Sequence, residues 1–75
     1  MKKVVNIQIT RGENYYVAES LDLPVVTQGK TLDEVISNIR EAVELALADG
    51  DAELYGVAEN PSIVANIIVD TPEYA

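Results

Sequence analysis

Residues Thr31 to Leu47 constrain the fold more than any other stretch of the chain. Thr31 and Glu34 stand three residues apart, the spacing at which a capping pair satisfies two orphan N–H groups of a helix start. Asp33 and Glu34 lie where the positive end of the helix dipole favours carboxylates. At the helical period, Leu32, Val35, Ile36, Ile39, Ala42, Val43, Ala46 and Leu47 fall in one arc roughly 140° wide. Ser37, Arg40, Glu41 and Glu44 lie outside it, and Gly50 is a natural stop. A helix so one-sided must rest on another apolar layer.

The flanking residues supply that layer as strands. Val5, Ile7 and Ile9 alternate with Asn6, Gln8 and Thr10, the period of a strand with one buried face. Turn residues Arg11 to Asn14 lead into a second extended run, Tyr15 to Leu21. Pro24 breaks it, and a short third strand, Val25 to Gln28, ends at Gly29. Residues 50–60 read as an acidic, irregular loop in which Leu54, Tyr55 and Val57 can pin the chain to the core. Pro61 to Thr71 reads as a last strand, apolar on both faces apart from Asn66, and therefore central in a sheet or buried at an interface. Pro72 to Ala75 reads as a frayed tail. The expectation is a single α+β domain over residues 1–75 in the order β-β-β-α-β, a small antiparallel-type sheet with one helix on one face.

Composition narrows the chemistry. Among 75 residues there is no cysteine and no histidine. Disulfides, thiolate metal sites and the usual general base near neutral pH are therefore excluded. So short a chain buries only about 60% of its unfolded surface, which makes self-association a reasonable way to hide more. Five basic against thirteen acidic residues give a net charge of −8. Such a surface repels phosphate backbones and anionic membranes and attracts basic partners. No apolar run is long enough to span a bilayer, and Asn6 and Gln8 interrupt the stretch after the N-terminal lysines, so it is no signal peptide. The expected location is cytoplasmic.

No catalytic constellation emerges. A metal-dependent nuclease needs converging carboxylates, whereas the first strand offers Asn6 and Gln8. Asp22 sits in a turn, Glu41 and Glu44 face away from the helix stripe, and Asp70 closes the last strand. The hydroxyls of Ser20, Thr27, Thr31, Ser37 and Ser62 have no histidine to activate them. Gly29-Lys30-Thr31 lacks the upstream glycine of a phosphate loop, because Pro24 stands there. Tyr15 and Tyr16 have no basic patch around them and read as packing residues rather than a base-stacking platform. Leu45 projects well off the buried arc, beside Asn38 and Glu41, and marks a face that can contact a partner.

The stretch "YYVAESLDLPVVTQGKTLDEVISNIREAVELAL" resembles the HicB-like antitoxin family. The matching residues are Asp22, Leu23, Pro24, Thr27, Gly29, Thr31, Glu34, Asn38, Glu41 and Ala42, with spacing kept throughout. Leu21, Val25 and Val35 depart from the family's usual proline, glycine and alanine. The resemblance implies a partial ribonuclease-H-like fold and a non-catalytic role without cofactor or metal. It also implies a partner, a small basic ribonuclease toxin (HicA-like, an mRNA interferase), held by steric occlusion and charge, with the antitoxin acting as a homodimer or higher oligomer. Many members add a DNA-binding module; ending at Ala75, this sequence leaves no room for one, and direct nucleic-acid binding is not expected. The alternative is an orphan structural or regulatory module that oligomerises without a toxin. Partner-binding candidates are Asn38, Glu41 and Leu45. Asp22, Pro24, Gly29, Thr31, Glu34, Asn38 and Glu41 form the structural motif.

Overall fold

The period-two pattern of Val5, Ile7 and Ile9 builds the inner face of β1 (Lys2–Arg11), where all three are fully buried. The computed structural model describes residues 1–70, so the expectations for Thr71 and the tail lie outside the described residues. β1 pairs antiparallel with β2 (Tyr16–Ser20), placing Ala18 beside Ile9 on the covered face. β2 pairs antiparallel in turn with β3 (Val26–Gly29).

α1 (Leu32–Ala46) follows and buries Val35, Ile39 and Val43 against the sheet. Burying each such side chain contributes about 2 kcal/mol. Leu32 and Ile36, inside the same arc, stay more than a third exposed because the helix approaches β2 and β3 more closely than β4. After α1, a 3₁₀ turn (Ala48–Gly50) and α2 (Asp51–Leu54) replace the expected irregular loop. Asp49 and Gly50 take left-handed φ there, which bends the chain sharply. Tyr55 and Val57 pin this segment to the core as expected, whereas Leu54 points outward and Ala52 is buried in its place.

β4 (Val57–Ile68) completes the sheet in the order β3-β2-β1-β4. The fold is α+β, with one main helix on a four-stranded sheet. Two expectations are corrected. The sheet is mixed rather than antiparallel, because β4 runs parallel to β1. The helical crossover from β3 returns the chain to the end where it began, so the next strand must run the same way as β3, and hence as β1. β4 is also not central. One side of β1 is taken by its hairpin partner, so the crossover strand joins the free side and becomes the sheet's edge. Three extra residues between the Lys2–Val57 and Val4–Ser62 pairs accommodate Pro61, which an interior ladder would not tolerate.

A candidate protein-binding surface

Four of the motif residues, Asp22, Gly29, Thr31 and Asn38, fasten one element to another or cap it. Gly29 ends β3 directly beneath the first turn of α1. A Cβ there would stand 2.5 Å from the Val35 nitrogen and 2.8 Å from its Cα, so only glycine allows the helix to sit this close. Thr31 Oγ1 accepts the Glu34 N–H at 3.1 Å and caps the helix. Among the described residues the Glu34 carboxylate makes no return bond, so half of the expected capping pair forms. One turn further on, the Asn38 amide donates to the Gln28 carbonyl at 2.7 Å and ties α1 to β3.

Asp22 fastens the other end. β2 leaves β1 after Ser20, and the Asn6 N–H would otherwise be left without a strand partner. Asp22 Oδ2 accepts it at 2.7 Å, while Oδ1 takes the Lys2 ammonium at 2.9 Å. Ser20 Oγ accepts the N–H groups of Asp22 and Leu23 and donates to the Asn6 carbonyl. The Asn6 N–H, and then the Lys2 ammonium, hold the Asp22 carboxyl below its ordinary value of 3.8. Pro24 is exposed within this turn, which the Ser20 N–H closes onto the Val25 carbonyl at 2.9 Å.

Two of the carboxylates weighed for metal chemistry lie apart. Asp22 is occupied on the Lys2–Asn6 half of β1, and Asp70 lies beside Thr10 and Arg11 at the strand's other end. Among the described residues no three carboxylates come together as metal ligands would. Tyr16 packs against the core and Tyr15 is exposed.

The exposed side of α1 is different. Asn38, Glu41 and Leu45 lie on one flank of the helix. Asn38 is partly buried by its bond to β3, Glu41 is exposed, and Leu45 is 74% exposed. Leu45 lines a shallow groove of about 360 Å³ with Pro24, Val26, Ala46, Asp51 and Tyr55. Val26 was not singled out from sequence, although strand alternation with the buried Val25 points it outward. Leu54, 75% exposed, adds a further leucine on α2 nearby in sequence.

Charge along the chain is uneven, and Glu41 and Asp51 bring part of it to this flank and groove. Residues 1–40 hold five basic and five acidic residues; residues 41–75 hold eight acidic and no basic ones. The entire net charge thus belongs to the second part of the chain. Glu44 lies in the last turn of α1 with no basic residue there, at the negative end of the helix dipole. Carboxylates at that end cost about 0.3–1 kcal/mol instead of stabilising.

Comparison with known proteins gives a family. The chain is 39% identical over 66 residues to a UPF0150 protein of Helicobacter pylori (strain J99), an alignment covering 85% of this chain and 92% of that one. The chain belongs to the UPF0150 family. No family model matches this UPF0150 chain, and no solved structure does. Among its described residues no helix is long and apolar enough to cross a membrane.

Proposed function

We propose that this protein is a non-catalytic, cytoplasmic, HicB-like antitoxin on a partial ribonuclease-H-like scaffold. Its partner is a small basic ribonuclease of the HicA-like class, which it inhibits by covering the active surface. The observation that carries this reading is the exposed Leu45 groove, lined by Asp51 and flanked by Glu41, in the part of the sequence that holds the whole net charge. Acidic residues around a small apolar anchor suit a basic partner: the charges steer the encounter and the leucine is desolvated on contact. The HicB-like motif supports the same class, because its Gly29, Thr31 and Asn38 hold α1 in place and so display this flank.

The test is co-expression with the product of a small basic neighbouring gene. The expected result is a complex in which ribonuclease activity and growth arrest are both suppressed. Reversing Glu41 and Glu44 to lysine weakens that complex about tenfold or more, and raised salt weakens the wild-type complex in the same direction. If no complex forms and no ribonuclease is neutralised, the antitoxin reading fails. A second reading, an orphan module that only self-assembles, draws on the bare apolar edge of β4. Absence of any basic neighbouring gene, together with assembly of the isolated chain, favours it.

A further inference from the structure

β4 is the longest strand in the molecule and stands at the sheet's edge, with β1 on one side and no strand on the other among the described residues. An edge of this kind presents a row of unpaired N–H and C=O groups, which proteins blunt with charges, a covering helix or brevity. β4 uses none of these in full over its C-terminal part. From Pro61 to Val69 there is no Asp, Glu, Lys or Arg, and the run Ile63-Val64-Ala65-Asn66-Ile67-Ile68-Val69 is dominated by β-branched residues. α1 covers it only in part: Ile63 packs against the core, while Val64, Ile67, Ile68 and Val69 stay exposed. The helix backbone approaches β2 and β3, leaving a cleft of about 150 Å³ between Ile36, Ile39 and Arg40 of the helix and Ile63 and Ala65 of the strand.

Both faces of the strand are left apolar and open. Ile67, on the helix side, is 45% exposed and Ile68, on the bare side, is 47% exposed; Val64 is similarly exposed and Val69 more so. A lone strand of this composition has the features of an aggregating segment. A closed pairing would remove that hazard, because an isologous contact consumes the surface and stops.

We propose that β4 is a self-association strand, whose free edge pairs antiparallel with β4 of a second copy across a two-fold axis, merging two four-stranded sheets into one of eight. Charge selects this occupant. Residues 41–75 are otherwise acidic throughout, so a basic partner is met by carboxylates elsewhere, and a second acidic copy is repelled elsewhere. The neutral run at β4 is where two such copies can approach without facing like charges. A reversed copy of the same strand also brings β-branched side chains opposite β-branched side chains on both faces, the pairing that stabilises sheets. The inference rests on this edge and not on the toxin reading, so failure of ribonuclease inhibition leaves it standing.

Light scattering of the wild-type chain at micromolar concentration should give twice its 8.2 kDa mass. Ile68→Lys, at a half-exposed position, should raise the dissociation constant about tenfold or more while circular dichroism keeps the native helix signal. Because the chain has no cysteine, single cysteines also report the contact directly. Ala65→Cys or Asn66→Cys, treated with a short bis-maleimide, should give a covalent dimer, and Ser37→Cys on the exposed helix should not. Should Ile68→Lys fail to fold, the cysteine pair decides alone. A wild-type mass of 8.2 kDa throughout the micromolar range overturns the proposal. So does a dimer that neither strand cysteine captures.

Discussion

β3 and β4 form the two sides of one sheet, yet β3 is four residues long and held by the helix, while β4 runs for twelve residues with its outer side bare among the described residues. At β3, Gly29 lets the first turn of α1 rest on the strand end, and Asn38 occupies the Gln28 carbonyl. That edge is too short and too covered to recruit another chain. At β4, Ile63 packs against the core, but no charge interrupts residues 63–69 and Val64, Ile67, Ile68 and Val69 stay exposed. The difference teaches that Gly29, Thr31 and Asn38 close one edge and fix α1, while other surfaces are left open. Those open surfaces are the acidic flank of α1 and the free edge of β4.

The comparison can be broken most severely at Gly29. Gly29→Ala forces a Cβ into the backbone of Val35 and should destabilise the fold by about 3 kcal/mol, read as a lowered urea midpoint. An unchanged midpoint would mean that the close approach of α1 to β3 does not matter. Next in size are Thr31→Ala and Asn38→Ala. Each should cost about 1 kcal/mol, the first by uncapping α1 and the second by releasing the Gln28 carbonyl. Because Asn38 is also a partner-binding candidate, its loss should lower stability even in the isolated chain, and that separates the two roles.

Asp22 sharpens the comparison at a third place, where β1 loses β2 and the chain closes the gap with a carboxylate. Its folded pKa lies below the ordinary 3.8, so its contribution to stability is fully present above that value. It is lost as pH falls from there through the folded pKa. Denaturation followed from pH 6 downward should show this loss in the wild type, and Asp22→Asn should flatten the limb. Identical acid limbs would remove the role assigned to Asp22. The smallest stability effect is expected at Leu45. Leu45→Ala should leave stability within about 0.5 kcal/mol, as an exposed position does, while weakening any complex formed through its groove.

Much of this was legible in the chain itself. The helix, its cap and its buried stripe follow from residues 31–47, because a one-sided period of 3.6 has few alternatives. Strand pairing was less legible. Apolar character on both faces of residues 61–69 suits a central strand and an interface strand equally, and only the topology shows that β1 had a single free side to offer. The roles of Asp22 and Asn38 could not be read locally either, since their partners, Asn6 and Gln28, lie sixteen and ten residues away. α2 was missed because four residues are too few to display a period. The concentration of all net charge after Arg40 is legible in composition, but only the fold places Asp51 at the Leu45 groove and Asp70 beside Arg11.

Hydrogen exchange of the wild-type chain, measured well below and well above the dimer's dissociation constant, tests the contrast between the edges most directly. The alternate amides of Ile63 to Val69 that face away from β1 should gain protection as concentration rises, while those of Val26 to Gly29 exchange at the same rate throughout. Equal, rapid exchange of the outward β4 amides at both concentrations would contradict the account.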